Sequence, residues 1–218
     1  MRPFLLFFLS FVFFSTPLVA EPPIFKAGPS FSVLNYKQTG VATTTQLWLG
    51  ARGEGEYALS SDWGLNGKAG LGLLPISKSG TDFNLRHLEM SLGMMYQGWR
   101  IEEEGFFPSA GYHYETFING DNFGFRNIHG PWAALDFRFQ LASKKLLDVE
   151  LGASILATDS GLSTTNQELS FKLGYHLKEF HEKISLLSIE AQAKRVSLKF
   201  ATGEVGAYFY SLNILASF

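Results

Sequence analysis

Apolar and polar residues alternate one by one through long stretches of this chain. Leu147, Val149, Leu151, Ala153, Ile155 and Ala157 are separated by Asp148, Glu150, Gly152 and Ser154. Leu169, Phe171, Leu173, Tyr175 and Leu177 alternate with Ser170, Lys172, Gly174, His176 and Lys178. The same period runs through 135–141 and 88–96. Successive side chains of a strand point to opposite faces, so each segment makes a ribbon with one oily and one polar side. A helix would scatter these apolar residues around its whole circumference.

Turn residues divide the alternating stretches into strands near 30–37, 44–59, 63–75, 84–97, 99–117, 131–142, 145–158, 166–178, 184–200 and 204–218. The connections alternate in length. Those at 60–62, 98, 143–144 and 178–183 are short. Those at 76–83, 118–130 and 159–165 are longer and rich in Gly, Ser, Asn and Asp. Short and long connections in turn, with an even strand count, predict an all-β, antiparallel, up-and-down barrel of ten strands, with eight as the alternative. Two places break the period. Glu102-Glu103-Glu104 sets one acid on the wrong face, and a bulge or a headgroup-level position would relieve it. In the strand at 184–200 the apolar residues are odd-numbered up to Ala193 and even-numbered from Val196, which predicts a bulge near Lys194-Arg195.

The first twenty residues, MRPFLLFFLSFVFFSTPLVA, have the three parts of a secretory signal peptide: Arg2, an apolar run from Phe4 to Phe14, and small Ala20 after Pro17. The run is too short for a spanning helix, which takes about 20 apolar residues. Cleavage after Ala20 is expected. Residues 21–29 would then be a short periplasmic segment before a barrel over 30–218. The 218-residue chain has no cysteine, which removes disulfides, thiol chemistry and cysteine-based zinc sites. Its formal net charge of −2 gives no electrostatic footprint for nucleic acid.

Alternation alone does not say which face looks outward, since lipocalin-type soluble barrels also alternate, with the oily side inward. Three features favour a lipid-facing oily side. The strands are long. Tyr57, Trp63, Tyr96 and Trp99 lie beside short turns, and Tyr112, Tyr114 and Trp132 flank the longest loop, as headgroup-level aromatics do. The final strand carries Tyr208, Tyr210, Leu212, Ile214 and Phe218 on one face. That ending resembles the C-terminal signal of small bacterial outer-membrane β-barrel proteins of the eight-to-ten-strand class. The resemblance implies residence in the outer membrane of a Gram-negative bacterium, amid membrane lipid and lipopolysaccharide. It also implies handling by periplasmic chaperones and the barrel-assembly machinery.

With the oily face outward, the alternate residues line the lumen. Arg52, Glu54, Lys68, Glu89, Arg100, Arg138, Asp148, Glu150, Lys172 and Glu190 form the expected polar network, joined by Glu56, His87, Glu102, Glu104, Asp136, Glu168, His176, Gln192 and Lys194. Charges on the lipid face at mid-bilayer would cost about 2–4 kcal/mol each, whereas inside a narrow barrel they can pair. Gly50, Gly70, Gly72, Gly93 and Gly174 leave room for long side chains opposite. This pattern suits a filled, structural or surface-interaction barrel; a narrow channel for ions or small polar solutes is the alternative. The loop at 118–130 offers Asp121, Phe123, Phe125, Arg126 and His129 for contact with a surface partner whose identity the sequence does not give. No zinc-binding spacing, nucleophile elbow or phosphate loop is present, and no cofactor is expected. A membrane-embedded hydrolase, akin to lipid A deacylases or omptin-type proteases, would draw on His113, Glu115, Asp121 and His129 at the rim.

Overall fold

The computed structural model describes residues 23–40, 43–75, 86–101, 104–118, 127–158, 161–200 and 203–217. The expected signal sequence at 1–20, Asp121, Phe123, Phe125, Arg126 and Phe218 lie outside the described residues, as do Glu102 and Glu103.

Every element among the described residues is a strand: β1 (Ile24–Gln38), β2 (Thr44–Ala58), β3 (Trp63–Pro75), β4 (Arg86–Tyr96), β5 (Arg100–Ile101), β6 (Glu104–Ile118), β7 (Asn127–Ala142), β8 (Lys145–Thr158), β9 (Gly161–His181), β10 (Ile184–Phe200) and β11 (Gly203–Ser217). Each pairs antiparallel with its sequence neighbour, except that β5 is a two-residue spur paired only to β6. β4 pairs directly with β6, and β1 pairs with β11. The ten long strands therefore close into a barrel, and closure leaves no sheet edge exposed. The strand direction places residues 24, 59–62, 97–101, 143–144, 182–183 and 217 at one end, with the short turns. The long connections lie at the other.

The wall is turned oily side out. Leu151 and Leu173 are 48% and 40% exposed on the outside, whereas Glu150 and Lys172 point inward. At the short-turn end an outer chain of rings runs from Trp63 to Tyr96 (5.1 Å), Trp99 (5.2 Å), Phe106 (5.4 Å) and Phe137 (4.9 Å). Such a belt suits a membrane–water interface, where the ring is in apolar surroundings and the polar atom is wet. Tyr112 and Tyr114 are exposed on the outside near the other end. Trp132 departs from expectation. It shares the inward face of β7 with Ala134 and Asp136, and its ring lies over Gly93, where a Cβ would approach Trp132 Cζ2 to 2.6 Å.

Among the strand boundaries that differ from the sequence reading, four matter most. β1 starts at Ile24, so residues 24–29 belong to the barrel rather than to a lead-in. Its pairing with β2 is unbroken from Ile24↔Glu56 to Tyr36↔Thr44. The sequence Gly28-Pro29 looks like a boundary because proline lacks an N–H. Here the two residues only interrupt the ladder to β11, which resumes in the same register at Ser30↔Asn213. The strand expected at 99–117 is split into β5 and β6. β9 begins at Gly161 rather than 166, and β7 at Asn127 rather than 131, so His129 is a strand residue.

The bulge expected near Lys194-Arg195 is absent. β10 pairs with β11 without a slip from Leu186↔Ser217 to Phe200↔Gly203. Lys194, Val196 and Leu198 all face inward, the last two fully buried. What changes along β10 is the chemistry of the lumen, not the direction of the side chains. Near the long-connection end the interior is apolar: Leu34, Trp48, Ile128, Leu156, Leu198 and Val205 belong to one buried cluster. Met95, Phe107 and Leu215 are buried near the opposite end.

Candidate functional site

The middle of the lumen is a lattice of ion pairs. Residues of β1, β2, β4 and β10 supply its first part. On β2, Arg52 and Glu54 share a face, and Arg52 Nε donates to Glu54 Oε1 at 2.9 Å. Arg52 Nη1 reaches across β3 to Glu89 Oε1 of β4 at 2.5 Å. Gly70 makes that reach possible, since a Cβ there would stand 2.8 Å from Glu89 Oε1. Lys26 of β1 pairs with Glu54 Oε2 at 3.0 Å and with Glu190 of β10.

The second part centres on Lys172 of β9. Its ammonium lies 3.0 Å from Asp148 Oδ2 and 3.7 Å from both Glu54 Oε2 and Glu150 Oε2. Lys68 Nζ bonds Glu150 at 2.5 Å across the barrel. His176 links Asp148 Oδ1 (2.6 Å) to Ser188 Oγ (2.7 Å). Gly174 leaves the space for this arrangement, because a Cβ there would coincide with an Asp148 carboxylate oxygen. Towards the short-turn end, Arg138 forks onto Glu56 at 2.6 and 3.1 Å, and its Nε donates to Asp136 at 2.8 Å. The Arg138 guanidinium also sits 4.5 Å over the Phe107 ring.

The third part surrounds Lys194 of β10. Three carboxylates face its ammonium: Glu115 at 3.0 Å, Glu89 at 3.1 Å and Glu168 at 3.8 Å. His87 bonds Glu115 Oε1 at 2.6 Å. His113 Nε2 stands 3.5 Å from Glu115 Oε2 and 3.6 Å from Glu168 Oε2.

Of the expected lumen residues, Arg52, Glu54, Lys68, Glu89, Arg138, Asp148, Glu150, Lys172 and Glu190 are thus brought together. Arg100 lies on the β5 spur outside the ring, and nothing of its side chain is described. The expected rim group is split by the wall. His113 and Glu115 are buried inside, whereas His129 is on the outer face, where its Nδ1 bonds the Tyr112 hydroxyl at 2.5 Å. Alternation would have separated them, since His113 and Glu115 are odd on β6 with inward-facing Phe107, while His129 is odd on β7, whose inward residues are even. Lys26 escaped the sequence reading because Gly28-Pro29 concealed its strand. Tyr208, Tyr210, Leu212 and Ile214 all point outward, 41–50% exposed.

The lattice leaves little space. Three separate cavities of about 50, 30 and 20 Å³ lie among these side chains, each the size of one or a few waters.

The fold is that of outer-membrane barrels. The outer membrane protease OmpT from Escherichia coli superimposes with a TM-score of 0.58 at 13% identity, over 93% of this chain and 99% of that one. The translocator domain of the autotransporter NalP from Neisseria meningitidis gives 0.48 at 12% identity, over 100% and 95%. Ail, the attachment invasion locus protein of Yersinia pestis, gives 0.35 at 14% identity, over 88% and 97%. No protein-family model and no curated protein sequence matches this chain.

Proposed function

We propose that this chain is an integral protein of the Gram-negative outer membrane whose barrel is solid, serving as a structural or surface-interaction scaffold rather than as a conduit. The carrying observation is the filled interior among the described residues: an ion-paired middle holding cavities of about 50, 30 and 20 Å³, beneath a buried apolar cluster at the long-connection end. An ion moving along the axis would have to part several carboxylate–ammonium pairs and then enter apolar surroundings, where an unpaired charge is very costly.

The oily outer face and the aromatic belt support contact with membrane lipid. Lys37 and Arg195 lie exposed on the outer face towards the long-connection end, with Arg195 5.8 Å over the Tyr208 ring, a placement suited to lipopolysaccharide phosphates. The outward row from Tyr208 to Ile214 belongs to the surface that the barrel-assembly machinery would read during biogenesis, after cleavage of a leader at Ala20, with Phe218 following it in the sequence. The loop carrying Asp121, Phe123, Phe125 and Arg126 is the segment that would meet a partner outside the cell.

Planar-bilayer recording of the purified, refolded barrel tests the reading. No discrete conductance is expected. Unitary steps that disappear when Gly70 is replaced by a bulky residue would establish a channel instead. A hydrolase is not favoured, because His113 and His129 lie on opposite sides of the wall.

A further inference from the structure

The cluster around Lys194 contains three buried polar atoms that no hydrogen bond satisfies: His113 Nε2, Glu115 Oε2 and Glu168 Oε2. Their residues are 7%, 0% and 5% exposed. Buried polar groups normally find partners, and an unsatisfied carboxylate oxygen or imidazole nitrogen is expensive. Lys194 Nζ pairs electrostatically with Glu115 Oε2 at 3.0 Å and Glu168 Oε2 at 3.8 Å but gives neither a hydrogen bond. Three orphans that converge on one point call for a common partner.

Their spacing says what that partner is. The three atoms lie within 4.8 Å of one another. His113 Nε2 is 3.5 Å from Glu115 Oε2 and 3.6 Å from Glu168 Oε2. An ion about 2.0–2.2 Å from each of its ligands, in tetrahedral geometry, sets those ligands about 3.4 Å apart. We propose that His113, Glu115 and Glu168 form a binding site for one divalent transition-metal ion, with Zn²⁺ as the fitting probe. An imidazole nitrogen with two carboxylate oxygens suits zinc, whereas calcium and magnesium take oxygen shells.

The surroundings fit this role. His113 and Glu115 are two apart on β6 and share a face; Glu168 comes from β9, three strands further round the wall. The ion therefore braces staves that do not otherwise pair. His87 holds the other oxygen of Glu115 at 2.6 Å, the outer contact that orients a metal-binding carboxylate. His113 and Glu168 line the 50 Å³ cavity, which leaves room for a water as fourth ligand. Lys194 need not lose its place, since it keeps Glu89 at 3.1 Å and the Phe209 ring at 4.6 Å.

The test uses the full barrel refolded in detergent with Zn²⁺ and then dialysed against a weak chelator. One zinc ion per barrel is expected by elemental analysis. His113→Gln and Glu168→Gln should each weaken retention by at least about tenfold, while His129→Ala and His181→Ala, which alter histidines outside the cluster, leave it unchanged. Heat-modifiable gel migration checks that each variant is folded. X-ray absorption of the zinc-loaded wild-type barrel, which needs no variant, should show one imidazole and oxygen ligands. The site is refuted by barrels that retain no zinc, by retention that survives His113→Gln or falls with His129→Ala, or by a zinc shell with several imidazoles or none.

Discussion

The lumen has two zones that solve the same problem in opposite ways. Its middle is filled by charged side chains that pair with one another; its long-connection end is filled largely by Ile128, Leu156, Val196, Leu198 and Val205, aliphatic side chains with no polar atom to satisfy. The ionic zone is specific and unforgiving. Each charge there has lost its water, so removing one member strands the rest. The apolar zone gains from burial alone, and its losses scale with the volume removed. The same strand crosses both: β10 presents Glu190 and Lys194 to the first, and Val196 and Leu198 to the second.

This contrast can be tested from its strongest consequence downward. Lys194→Met leaves Glu89, Glu115 and Glu168 without their shared ammonium. It should destabilise the barrel by about 3–5 kcal/mol, read as a lowered urea midpoint in reversible unfolding from lipid vesicles. Adding Glu115→Gln and Glu168→Gln to that variant should recover part of the loss. If Lys194→Met costs less than removing an apolar residue, the two zones do not differ as described.

In the apolar zone, Leu198→Ala should cost about 2–4 kcal/mol, the usual range for a buried leucine. It should be independent of the ionic changes, because separated sites add. A double variant with Lys194→Met that departs strongly from additivity would show that the zones act as one. Next comes Gly174→Ala, whose methyl would displace the Asp148 carboxylate from His176 and Lys172. A loss of about 1–3 kcal/mol is expected, and an additional Asp148→Ala should abolish the methyl's further effect.

The smallest effect is outside the lumen. Lys144 and Glu179 form an exposed ion pair at 2.5 Å beside the short turns, and the ammonium holds the Glu179 carboxyl below its ordinary range. A lowered carboxyl pKa favours the folded state above the unfolded value and loses that contribution as the pH falls. Glu179→Gln should therefore leave the acid unfolding profile almost unchanged, since exposed pairs contribute little. A marked shift would place this pair among the determinants of the fold.

Much of this architecture was legible from the sequence because period-two alternation needs no tertiary information. The ten-strand ring follows from alternation together with the turn residues, and the outward Leu151 and Leu173 and inward Glu150 and Lys172 follow once strand length, aromatic placement and the final strand turn the oily face outward. Parity also carried the reading astray where the environment changes along a strand. A switch from Ala193 to Val196 looks like a slipped register if the interior is taken as uniformly polar. It is an unslipped strand passing into an apolar interior. Trp132 and His113 were assigned by closeness to a loop, and their faces on β7 and β6 overruled that. Lys26 was hidden by a proline that lies inside a strand where only one of two ladders needs its N–H. Which charges meet across the lumen, as Lys68 meets Glu150, depends on ring closure, and no local pattern encodes it.

The interruption at Gly28-Pro29 lies where the two ends of the chain meet. β1 is made first and β11 last, so this junction has to wait for synthesis of the whole barrel and joins residues with the greatest separation in the chain. Lys26 helps to fasten it, reaching Glu190 on the far side of β11 at a distance of 164 residues along the sequence. The stave with the gap in its stitching is thus also the one secured by a clasp.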